Sequence, residues 1–279
     1  MESSKPFNDR LWIRLLVLLA YKTATQKHAG RLKLASQPGR VVFVSPRCCI
    51  KSTPFTRLTE ARALQFVAQH TSVPVPKVHS AFERDGRAYI IMERIDGENL
   101  ADGWSSRPDE SKARILEQLR AFVQELRSIQ PPPGMGVAGV DGGPIFDHRL
   151  PSKSLWGPFT TIQDFHRELR GGIAAEDIQD DASSPGVKDM AAFQEQAWGD
   201  PVFTHGDLSS SNILVRGDRV VGIVDWETAG WYPPYWEYTS AKHPNPQNSW
   251  WQEEVDRFIA PAQDALEAET IRRRFFGDF

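Results

Sequence analysis

Asp207, Asn212 and Asp225 are the residues whose types and spacing suit phosphoryl transfer. An aspartate set against a hydroxyl accepts or orients its proton, and Asp207 suits that role. Asn212 and Asp225 would offer oxygens to Mg²⁺, a hard cation that takes oxygen ligands and keeps phosphate oxygens for its remaining positions. The stretch between these two reads as a hairpin. Asn212-Ile213-Leu214-Val215 is a short apolar run, Arg216-Gly217-Asp218-Arg219 supplies turn chemistry, and Val220 to Val224 returns as a second strand. Such a hairpin brings its open ends, Asn212 and Asp225, close enough for one ion to touch both.

Kinase machinery has the same order: an Asp, an Asn five residues later, then a metal-binding Asp beyond a hairpin. His205-Gly206 leads into the loop and Trp226 follows the last aspartate. His205 reads as a structural residue that hydrogen-bonds the loop backbone. Ser209, Ser210 and Ser211 lack the Gly-x-Ser-x-Gly setting of a hydrolase nucleophile, and the seven histidines show no metal-ligand spacing. Upstream, Lys51 ends a strand-like run where an ammonium could reach the α- and β-phosphates of ATP. Glu60, nine residues on, falls in the first turn of the next helix and could hold that lysine by an ion pair.

With these residues the chain resembles the aminoglycoside phosphotransferase and choline kinase-like superfamily, specifically its fungal phosphotransferase enzyme family branch. The resemblance is carried by the loop 205–215, by Ile223-Val224-Asp225-Trp226-Glu227 and by the aromatic run from Gly230 to Tyr238. Thr71 to Val78 and Tyr89 to Gly97 also match, so it extends from near Val41 to the C-terminus. It implies an α+β, bilobal, protein-kinase-like fold. Residues 1–95 would form a small antiparallel-sheet N-lobe with one long helix, and 96–279 a mainly helical C-lobe with the catalytic loop and metal-binding hairpin. It also implies ATP and Mg as cofactors and a small-molecule hydroxyl as acceptor, cationic in the antibiotic kinases. Met92, Glu93 and Ile95 fall at the family's hinge, where backbone groups grip the adenine. The acceptor does not travel with the resemblance. A Gly-rich phosphate cover is missing, since the loop 36–40 contains only Gly39.

The elements that must position these residues are legible in outline. Leu11 to Ala20 reads as an amphipathic helix packed on the small lobe. This is preferred to a targeting or membrane-contacting segment because it is too short to span a bilayer and carries Arg14. Strands are expected at 31–35, 41–44 and 48–51, a helix at 56–70, and a strand pair at 78–83 and 88–92 around Asp85-Gly86. Helices are expected at 108–129, 160–170 and 187–198, and at 250–276 with a break near Pro261. Residues 131–158, rich in Gly and Pro, read as a long surface loop of the kind that carries function.

A 279-residue chain with 40% apolar and 25% charged residues is ordinary for a globular protein. Its net charge of −3 argues against a nucleic-acid partner. Adjacent Cys48 and Cys49 make a poor disulfide, which fits reduced, cytoplasmic surroundings. Glu227, Trp231 and Glu237, among the C-lobe aromatics, are candidates for acceptor contact, with core packing the competing reading for the rings. The acidic patch at 176–177 and 180–181 is more simply a solvated loop than a substrate surface. A protein kinase is the enzymatic rival, disfavoured because neither Asp-Phe-Gly nor Ala-Pro-Glu occurs and little chain follows Asp225. The non-catalytic rival is a nucleotide-binding pseudoenzyme or scaffold.

Overall fold

A helix of 21 residues, α1 (Leu11–Arg31), opens the structure. It runs a further eleven residues past the stretch expected to form it. The computed structural model describes residues 7, 10–31, 41–151, 155–179, 184–243 and 249–277. The strand expected at 31–35, the loop 36–40 and the acidic pair Asp180-Asp181 therefore lie wholly or almost wholly outside the described residues, and Arg31 itself closes the helix.

Four antiparallel strands follow in the order β1-β2-β4-β3: β1 (Val41–Ser45), β2 (Cys48–Lys51), β3 (Val78–Arg84) and β4 (Arg87–Glu93). Asp85 and Gly86, both at positive φ, make the tight turn between β3 and β4. Alternation along β2 gives the sheet two different faces. Ile50 joins Phe82 and Ile91 on the outer face, where Val17 of α1 packs. Cys49 and Lys51 point to the inner face. There α2 (Leu58–His70) buries Ala61, Leu64 and Val67 at helical spacing.

Below the sheet the chain is mainly helical. β5 (Glu98–Asn99) leads to α3 (Asp109–Ser128), whose Ile115, Leu119, Val123 and Leu126 form one buried stripe. Residues 131–151 are not a surface loop. β6 (Ala138–Gly139) pairs with a later strand, and Val137, Ile145, Asp147, Arg149 and Leu150 are buried. Two short helices, α4 (Ile162–Leu169) and α5 (Val187–Glu195), precede β7 (Val202–Thr204). The hairpin is as expected: β8 (Ile213–Arg216) pairs with β9 (Arg219–Ile223), and β5 adds a third strand. β10 (Gly230–Tyr232) lies between β6 and β7. The chain then forms α6 (Trp236–Ala241), α7 (Trp251–Val255) and α8 (Gln263–Phe276). Pro261 falls in the break between the last two, as expected.

Candidate active site

Lys51 reaches from the end of β2 into the cleft between the lobes. Its Nζ lies 2.9 Å from Glu60, 2.5 Å from Asp225 and 3.2 Å from Glu227. Burial opposes its charge, but the three carboxylates outweigh that and raise its pKa. Glu60 is itself buried, which pushes it to about 7 against the pull of Lys51. Oxygens of Glu60, Asp225 and Glu227 lie within 4.8 Å of one another. Glu227, read from sequence as an acceptor contact, thus belongs to the lysine's cluster.

The loop that carries Asp207 is built on backbone. Gly206 takes φ +80°, and a Cβ there would stand 3.0 Å from the carbonyl of Thr228, so only glycine passes without strain. His205 Nδ1 accepts from the Asp207 N–H at 3.1 Å while its Nε2 donates to the Val224 carbonyl at 3.1 Å. Burial lowers its pKa to about 4, so the ring is a neutral strut linking the loop to the segment before Asp225. The Asn212 amide donates to the Asp207 carboxylate at 2.8 Å and to its carbonyl at 2.9 Å. Val224 N–H bonds the Asn212 carbonyl at 2.9 Å, so the open ends of the hairpin are joined. Asp225 sits at φ +67°, a sparsely populated conformation for a non-glycine residue.

Asp207 keeps 28% of its side chain exposed. Desolvation by its surroundings raises its pKa; Arg149 pulls it back and Asp225 adds to the rise. Arg149 escaped the sequence reading. It is buried, grips the fully buried Asp147 through Nε at 2.8 Å and Nη2 at 2.9 Å, donates to the Gly206 carbonyl, and lies 3.7 Å from Asp207. The triplet Asp147-His148-Arg149, inside an otherwise apolar and Gly/Pro-rich stretch, was the available signal.

Two expected acceptor residues lie elsewhere. Glu237 is buried behind the loop, where its carboxylate accepts the N–H groups of His205 and Gly206 at 2.6 and 3.1 Å. Trp231 is core, packed edge-on to Phe66 and Phe203. In the hinge strand, Met92 pairs with Cys49, which in turn pairs with Phe43, so three side chains share the inner face in one row. Phe43 and Val41, half exposed on that face, were not singled out from sequence. The Glu93 N–H is spent on the Lys77 carbonyl, while its own carbonyl meets the Cys49 thiol at 3.6 Å. Ile95 packs over Gly222, where no Cβ intervenes.

Residues 50–276 match the family model described as "Phosphotransferase enzyme family". The chain belongs to that family. Among curated relatives, it is 26% identical over 254 residues to "Clavilactone A biosynthesis cluster protein Y" of Ampulloclitocybe clavipes, covering 78% of this chain and 60% of that protein. It is 22% identical over 192 residues to an aminoglycoside 3'-phosphotransferase of Streptomyces fradiae, covering 68% and 64%. The chain thus spans less than two thirds of the length of either relative. Among solved structures, a thermostable mutant of aminoglycoside phosphotransferase APH(4)-Ia in complex with ADP and hygromycin B superposes with a TM-score of 0.61 at 18% identity, covering 90% of this chain and 87% of that one. The fold of this family member is therefore the bilobal kinase-like one of the aminoglycoside phosphotransferases.

Proposed function

We propose that this chain transfers the γ-phosphoryl group of ATP, with Mg²⁺ as cofactor, to a hydroxyl of a small molecule. The observation that carries this reading is the Asn212 amide seated on the Asp207 carboxylate beside a lysine held by three acids. Oxygen donors of the kind Mg²⁺ takes are gathered here: the carboxylates of Asp225 and Glu227 lie within 4.8 Å of one another, and Asn212, joined to the segment before Asp225 through its carbonyl, would add its amide oxygen. When bound, the ion would neutralise charge on the phosphates.

The chain's own residues would do the rest. Lys51, held charged by its carboxylates, would pair with phosphate oxygens in place of Asp225. Cys49, Met92 and Phe43 would form an apolar roof for the adenine, with the Glu93 carbonyl beside Cys49; the Ile95 amide, two residues on, would be the matching donor. Asp207 would receive the acceptor's proton, and its raised pKa makes it a better base than an ordinary surface aspartate. The transition state is loose, so positioning and charge neutralisation carry most of the catalysis. Hydroxylated, cationic metabolites are the first acceptors to screen, because the relatives include an aminoglycoside phosphotransferase.

Asp207→Asn keeps an acceptor for the Asn212 amide but removes the base. Turnover with the true acceptor should fall on the order of 10²–10⁴-fold while Mg·ATP still binds. Undiminished turnover in a coupled ADP-release assay would sink the assignment.

A further inference from the structure

The face of α1 turned away from the sheet is a continuous apolar ridge. Leu11, Trp12, Leu15, Leu16 and Leu19 recur at helical spacing on one side and are 73%, 57%, 55%, 58% and 60% exposed. The opposite side docks on the sheet through Val17, Ile13 and Tyr21, the last edge-on to Tyr89 and donating to the Ser52 carbonyl. Packing therefore accounts for only half of the stretch from Leu11 to Tyr21. No helix among the described residues is long and apolar enough to cross a membrane.

Charge says what would cover the ridge. Within α1 the sequence has four Lys or Arg and no Asp or Glu, in a chain whose net charge is −3. Arg10 at the start of the helix and Lys22, one turn beyond Leu19, are exposed. We infer that α1 docks this protein on the surface of a bilayer containing anionic lipid, with Trp12 and the leucines in the interface and the cations among the headgroups. An amphipathic helix bearing Trp and Leu on one side and cations beside them binds such surfaces by burying the apolar face and attracting anionic lipid. A second copy of the chain is the poorer occupant. A two-fold contact would set the same acid-free, cation-rich segments against each other. The inner face of the sheet, which carries Lys51, stays free of this contact, and the inference stands apart from the catalytic reading.

The test is co-sedimentation of the full chain with phosphatidylcholine vesicles, with and without phosphatidylserine. Binding is expected only to the anionic vesicles and should be released by added salt. Leu15→Glu/Leu16→Glu/Leu19→Glu alters only exposed positions and should keep the helical circular dichroism and thermal midpoint. It should lower partitioning by about a hundredfold or more, at roughly tenfold for each apolar group kept from the interface. The emission difference between wild type and Trp12→Phe should move to the blue when anionic vesicles are added. Three results would overturn the inference: wild type left in solution, the triple variant binding like wild type, or a wild-type dimer that ignores vesicles and that the triple variant dissolves.

Discussion

Glu237 shows how far a residue's chemistry can be read and still be misplaced. Its type suggested a charge for an acceptor, but both carboxylate oxygens are occupied by the backbone N–H groups of His205 and Gly206. Burial nonetheless pushes its pKa to about 7 from an ordinary 4.5. Between those values the folded state keeps a proton that the unfolded chain has lost. The group's contribution to stability is therefore full below about pH 4.5 and is lost as pH rises through about 7. Glu237→Gln cannot titrate. The stability of wild type minus that of the variant should thus fall by roughly 3 kcal/mol from acid to neutral pH. Denaturant unfolding at several pH values reads this directly, and a flat difference would mean that the two N–H bonds keep the carboxylate ionised throughout. His205, by contrast, is legible in sequence because the resembled family gives the base role to the aspartate that follows, which leaves the histidine to brace the loop, and its two nitrogens bond backbone on either side.

At the scale of elements, local pattern located the hairpin, and composition misjudged its support. β8 and β9 announced themselves through two apolar runs and a Gly-Asp turn, and their pairing follows from adjacent sequence. Residues 131–151 gave the opposite signal. Glycine and proline suggest surface, yet this segment wraps into the core because β10, far along the chain, supplies a strand for β6 to pair with. No local pattern encodes that partner. The segment delivers Arg149, which pairs with buried Asp147 and reaches the loop before Asp207 at the Gly206 carbonyl. Arg149→Met would strand a fully buried carboxylate and should cost about 3–5 kcal/mol. Asp147→Leu/Arg149→Met together should cost less than Arg149→Met alone, since the fully buried carboxylate of Asp147 leaves with its partner. Urea unfolding of the three variants tests the ordering. A double variant worse than the single would assign the effect to lost packing instead of stranded charge.

Across the whole molecule, the two lobes share one apolar core, with Phe66 of α2 against Phe203 and Trp231, and further contacts of mixed type lie beside it. Lys51 crosses from β2 to Asp225 and Glu227, Phe55 stacks on Phe146 at 6.1 Å, and Arg62 of α2 pairs with Asp141. The lysine contact was readable from sequence as a kinase-like pairing with Glu60; the others depend on the buried course of 131–151. Every group proposed to hold nucleotide or metal lies along this seam and comes from both lobes, so a ligand there would bind the folded chain and not the unfolded one. At a concentration of Mg·ATP one hundred times its dissociation constant, stability should rise by about 2.7 kcal/mol, a shift of several degrees in thermal midpoint. Asp225→Asn separates metal from fold. Asparagine tolerates the positive φ at that position, and Lys51 retains Glu60 and Glu227 as partners. The variant should therefore fold, bind ATP weakly, and lose the part of the shift that depends on Mg²⁺. If differential scanning fluorimetry gives the same Mg²⁺-dependent shift for variant and wild type, the metal is held elsewhere along the seam.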